Sequence, residues 1–186
     1  ERFKYNRIVD FLVKLDNQLS SDWIAQYSPT SRIERMNNII KKIENANNAD
    51  ELLDTINPFS FDKVEFIRAV DAAVYGRRFT RYLLLKLEYL YADHNQKMSL
   101  NRLSVEHVLP QNPKPDSQWC KDFTESERAE WTHRLGNLVL ITTIKNTSLG
   151  NLDYAEKKNR YFDKRINTCP NSLRVLKNSQ WTPKEL

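Results

Sequence analysis

The stretch "SVEHVLPQN", residues 104–112, sets Glu106 beside His107, one of three histidines in the chain. An imidazole with an ordinary pKa near ~6.5 can take a proton from water at neutral pH. A carboxylate next to it offers hard oxygens that suit a cation. The pair therefore carries the means for general-base chemistry, but chemistry also needs further groups brought to it by the fold. Alone, a Glu-His dipeptide serves structure as readily.

Other catalytic devices find no support. Only Gly76, Gly136 and Gly150 occur, none of them in a G-x-G-x-x-G or G-K-[ST] context, so phosphate-cradling loops are excluded. There is no G-x-S-x-G, and Cys120 and Cys169 lie too far apart for a C-x-x-C pair, which leaves no basis for a nucleophilic triad or a structural zinc site. A reducing, intracellular setting is expected. No apolar run approaches the length of a membrane span, and "ERFKYNR" at the start is unlike a signal peptide.

The formal net charge is +5, with 15 Lys and Arg against 14 Asp and Glu over residues 1–99 and 14 against 10 thereafter. The positive excess thus lies in the half that holds Glu106 and His107; it favours a polyanionic partner, and a surplus this small also fits an ordinary solvated surface.

The elements that must position the pair are legible from periodicity. Apolar residues recur at three and four through Ile8, Phe11, Leu12, Leu15 and Leu19, and again through Ile33, Met36, Ile40 and Ile43. Ser31 with Glu34 reads as a capping box, Ser60 follows the breaker pair Asn57-Pro58, and Gly76 sits where a helix end favours a left-handed residue. Four or five helices are expected over residues 5–93, the most apolar being 77–95 with Phe79, Leu83, Leu87 and Leu90 on one face.

After residue 100 the pattern changes. "LSVEHVLP" and "NLVLIT" read as strands separated by a loop and by a helix that Thr124 and Glu127 open and Gly136 ends. Leu152, Ala155, Asn159, Phe162 and Ile166 mark a further helix. The expected fold is mainly α with a small ββα core, an α+β arrangement, divided as a helical domain over 1–99 and a second domain over 100–186. "WTPKEL" offers the start of another helix, with Thr182 as its N-cap, and suggests a fragment of a longer protein.

With these elements in order, the residues resemble the HNH, or His-Me finger, nucleases. That family carries an acidic residue and His on the first strand, an Asn at the second, and a metal-binding His or Asn nine residues on. Glu106-His107, Asn137 and Asn146 stand in that relation. More narrowly, "VEHVLPQN", "HRLGNLVLI", "NTSLGN" and "YAEKKNRYF" resemble the C-terminal nuclease part of GmrSD-type modification-dependent restriction endonucleases and of the SspE phage-defence proteins.

The resemblance implies a ββα-metal core that hydrolyses phosphodiesters. His107 would be the general base, Asn137 would order the loop that holds it, and Glu106 with Asn146 would hold Mg²⁺ or Mn²⁺. Glu106 and His107 point to opposite faces of an ideal strand, so one site can use both only if the strand ends or bends, as Pro110 would allow. His133 and Asn151 are candidate supporting residues, and His133 suits a helix C-terminus equally well. Lys145, Lys157, Lys158, Arg160 and Lys164 are candidate phosphate contacts, although a solvated face explains the same run. His94 is expected at an exposed helix end, and Trp119, Trp131 and Trp181 in packing.

The implied substrate is double-stranded DNA, from phage or modified. An NTPase and modification-sensing domain would lie N-terminal in the same longer chain, and the setting would be bacterial or archaeal cytoplasm. The alternatives are a catalytically silent DNA-binding or inter-domain module and an RNA-directed HNH toxin.

Overall fold

The computed structural model describes residues 5–92, 102–143, 146, 149–162 and 169–186. It is mainly helical with one two-stranded antiparallel sheet, an α+β arrangement. The chain separates into two compact units, residues 1–70 and 71–186.

The first unit contains α1 (Tyr5–Ile24), α2 (Pro29–Asn45), a π-helical turn (Glu51–Ile56) and α3 (Lys63–Val70). α2 begins three residues earlier than the expected capping box. Ser28 accepts the Ser31 N–H at 3.1 Å and Pro29 takes the first helical position, where its missing N–H costs nothing. Asn57, at φ +40°, ends the π-helical turn in the left-handed region that Asn tolerates better than most residues.

The centre of this unit is more polar than the periodicity implies. Asp22 is buried, takes an ion pair from Arg35 at 2.8 Å and accepts from Gln18 at 3.0 Å. Gln18 in turn accepts the Ser60 N–H at 2.6 Å. Leu12, Ile33 and Ile40, on the faces expected to be apolar cores, are exposed within the unit.

The second unit holds α4 (Thr80–Tyr91), β1 (Leu103–His107), α5 (Gln118–Asp122), α6 (Glu125–Trp131), a 3₁₀ turn (Leu135–Asn137), β2 (Leu138–Thr142), α7 (Tyr154–Phe162) and α8 (Pro170–Leu176). α4 belongs here because it packs on β2 and α8. The Thr124–Glu127 capping box forms in full, but α6 stops at Trp131 and Gly136 lies in the 3₁₀ turn instead of closing the helix. Gly76 is left-handed as its type allows, at φ +80°, in the turn before α4 and not at a helix end.

β1 and β2 pair antiparallel, with His107 opposite Leu138 and Glu106 opposite Val139. Residues directly opposite share a face of the sheet. Glu106 therefore shares its face with Val139 and Ile141, which join Trp119, Phe123, Tyr154 and Trp181 in the core. His107 lies on the other face with Leu138. Four of the five β2 residues are buried, as expected for a strand covered on both sides. Trp119 and Trp181 are fully buried in the packing.

Leu90, expected on the buried face of α4, is exposed, and Glu88 is buried in its place. The Glu88 carboxylate accepts the Asn171 N–H at 2.6 Å at the start of α8, while its other oxygen has no partner among the described residues. Burial pushes its pKa up to about 7, against the pull of the Asn171 N–H and the Arg174 charge. A carboxyl raised in the folded state stabilises it fully below the unfolded pKa near 4.5, and this contribution is lost as pH rises through 7. Relative to Glu88→Gln, the wild type should thus lose up to about 3 kcal/mol between pH 4.5 and 8. Urea unfolding of both proteins at the two pH values measures this, and equal pH dependence would show that Glu88 titrates normally.

Candidate active site

The site is built where β1 ends. His107 closes the strand, and Val108 and Leu109 turn the chain away from it. Both ring nitrogens of His107 have polar neighbours: Nε2 lies 3.3 Å from His133 Nδ1, and Nδ1 lies 3.3 Å from the Gln111 amide nitrogen. These contacts couple the tautomers, because a proton placed on one nitrogen of His107 leaves the other to accept. Tyr75 covers the pair, its ring edge-on to His107 at 4.2 Å between centroids and stacked on His133 at 5.4 Å.

His133 is held from its backbone. Its carbonyl accepts from Val74 N at 2.9 Å and Tyr75 N at 3.1 Å, and Ala73 forms a β-bridge with Arg134. The residues before Gly76 thereby deliver Tyr75 to the two imidazoles. His107 is only 6% exposed. Burial, then the neighbouring His133 and Lys157, push its pKa down to about 4. It is a neutral imidazole at pH 7.

Asn137 is completely buried beneath this turn. Its Oδ1 accepts from Leu109 N at 2.8 Å, and its Nδ2 donates to Leu109 O and Thr132 O, both at 2.9 Å. Trp181 Nε1 adds a longer contact of 3.4 Å to the same oxygen. A side chain with both a donor and an acceptor can tie two loops together in this way, and a carboxylate cannot. One residue connects the segment after His107 with the segment before His133.

Glu106 has a different environment. Its carboxylate is 5% exposed and meets the ammonium of Lys157 at 2.7 Å. Lys157 Nζ also donates to His107 O at 2.8 Å and Val108 O at 3.1 Å, so its three protons meet three oxygens. Burial pushes the Glu106 carboxyl up and the Lys157 ammonium down, and each charge pulls the other back. Three oxygens around the ammonium replace the hydration it loses on burial.

This corrects the expectation that Lys157 faces phosphates. It is 1% exposed, because α7 buries the face bearing Tyr154 and Lys157, while Ala155 and Asn159 are exposed. Lys158 is also engaged, donating to Asn178 O at 2.6 Å, and exposed Arg160 pairs with Glu156 at 2.9 Å. Lys145, Lys164 and His94 lie outside the described residues. Asn151 is exposed beside Asp116 and Glu156, and no contact joins it to His107.

Glu106 and Asn146, the residues implied to hold a divalent ion, are both engaged within the protein. The strand ends at His107, but Glu106 remains on the opposite face with its charge matched by Lys157. Asn146 turns its amide nitrogen to Ser104 Oγ at 2.9 Å and Val105 O at 3.2 Å. Among the described residues no group of three or more His, Cys, Asp or Glu side chains is placed to hold a metal ion.

Tyr75, Gln111 and the pairing role of Lys157 were not singled out from sequence. Gln111 stands within the opening motif, four residues after His107, whereas nothing local marks Tyr75.

No helix among the described residues is long and apolar enough to cross a membrane. No curated protein and no solved structure matches the chain. A family model, that of GmrSD restriction endonucleases, C-terminal domain, matches residues 60–186. The match covers both strands, the histidine pair, Asn137 and α7, and extends over more than half of the sequence. The chain therefore belongs to the family of GmrSD restriction endonuclease C-terminal domains, and its chemistry is that of a nuclease.

Proposed function

We propose that this protein is a DNA endonuclease of the HNH type that nicks or cuts duplex DNA in defence against phage, with His107 as the general base. One observation carries the reading: a neutral imidazole stands at the end of β1, next to His133 and Gln111, on a turn that Asn137 ties down. The order strand, strand, helix over β1, β2 and α7 supports the ββα reading.

In the reaction, His107 Nε2 takes a proton from water as the water oxygen bonds to phosphorus and the bond to the leaving sugar oxygen breaks. Holding the His107 proton on Nδ1 requires the Gln111 amide to present its oxygen there, and His133 must give way at Nε2. Among the described residues no group of three or more His, Cys, Asp or Glu side chains stands ready for a cation on the phosphate, so Mg²⁺ or Mn²⁺ enters as a component to be tested. An N-terminal NTPase and sensor domain in the same longer protein, and action in the cytoplasm, belong to the same proposal.

The test is nicking of supercoiled plasmid across Mg²⁺, Mn²⁺, Ca²⁺ and EDTA, with duplex RNA as competitor. Relaxed plasmid from the wild type and none from His107→Ala supports the proposal. Folded wild type that binds plasmid yet never relaxes it with any ion points to the silent module, which the committed Glu106 carboxylate favours. Preferential loss of RNA points to the toxin.

A further inference from the structure

We propose that Lys157 is a positioning residue of this site: its ammonium, and not a divalent ion, is the counter-charge of Glu106, and it holds the peptide that carries His107. The inference rests on the nuclease reading for its consequence in activity, and on geometry alone for the rest.

A lysine at 1% exposure is unusual, since removing an ammonium from water is costly unless oxygens replace its hydration. Here the replacement is complete: one carboxylate and two carbonyls take the three protons. The two carbonyls are those of His107 and Val108, where the chain leaves the sheet after a last cross-strand bond from Val108 N to Asn137 O at 3.0 Å. Asn137 holds the same turn one residue later, through both polar groups of the Leu109 backbone. The backbone from 107 to 109 is thus gripped from both sides, by α7 through a cation and by the 3₁₀ turn through an amide.

Lys157 meets one oxygen of Glu106, and a dication on the other would repel the ammonium across the carboxylate and favour its withdrawal. Withdrawal would also release the His107 and Val108 carbonyls and loosen the base. Glu106 instead keeps the lysine buried, and the lysine keeps the histidine aimed.

Three variants of the whole chain test this: Glu106→Gln, Lys157→Met, and the double variant, in which no buried charge is left alone. The side-chain ¹⁵N resonances of His107 report its tautomer and surroundings. They should move in Lys157→Met and in the double variant, which regains stability but lacks a donor for the two carbonyls. In nicking assays the double variant should lose about tenfold to a hundredfold in kcat, with KM within about twofold, as expected for a displaced base.

Titration of each protein with Mn²⁺ alone should give the same result for Glu106→Gln as for the wild type. Loss of Mn²⁺ binding in folded Glu106→Gln overturns the proposal, and so do unchanged His107 resonances in the folded double variant. A wild type that never nicks DNA removes the nuclease reading, while the resonance and Mn²⁺ measurements still decide the role of Lys157.

Discussion

His107→Ala is expected to abolish nicking, with kcat reduced by roughly 10² to 10⁴ and plasmid affinity little changed. The expectation follows from position. The ring is 6% exposed, so its removal alters little of the surface that DNA would touch, yet it removes the neutral imidazole beside His133. The pH profile should identify the base more sharply than the rate. With its pKa pushed down to about 4 by burial, His133 and Lys157, His107 stays unprotonated well below the pH at which an ordinary histidine charges. The acid limb of kcat/KM should then fall below about pH 5 and not near 6.5. An acid limb centred at 6 to 7 would assign the base to a different group.

Replacing Asn137 should have the largest effect on stability. Asn137→Ala leaves Leu109 N, Leu109 O and Thr132 O without their partner in a completely buried place, at a cost of about 3 to 5 kcal/mol. Asn137→Asp is the more instructive change. It keeps the acceptor for Leu109 N but sets a second acceptor against two carbonyls that need a donor, so it should be no more stable than the alanine variant. Denaturant unfolding measures both. An Asp variant as stable as wild type would show that the two Nδ2 bonds contribute nothing.

Much of this site could be read from the chain because its parts have strong local signatures. β1 and β2 are short runs of branched apolar residues between breakers, and the Thr124–Glu127 box is a local contact that does not depend on the rest of the fold. The family resemblance, and not strand register, links Asn137 to the loop that holds His107; in the structure the antiparallel pairing sets His107 opposite Leu138, the residue after Asn137. What could not be read is non-local. Tyr75 reaches the histidines through a single β-bridge, made by residues whose sequence specifies no strand. Lys157 looks like part of a solvated run, since an amphipathic pattern assigns lysine to water, and only the carboxylate some fifty positions earlier reverses that assignment. Nothing local marks Glu88 as buried either: its partner is the backbone of Asn171, which no side-chain pattern records.

The grip of α7 and Trp181 on the turn after His107 also bears on how the protein is made. Ribosomes deliver the strand that bears the histidine long before the lysine of α7, and the indole that closes over Asn137 comes later still. A nascent chain would carry its histidine unaimed until those late contacts form. A cell synthesising this nuclease would then be exposed to its activity only after Trp181 has left the ribosome.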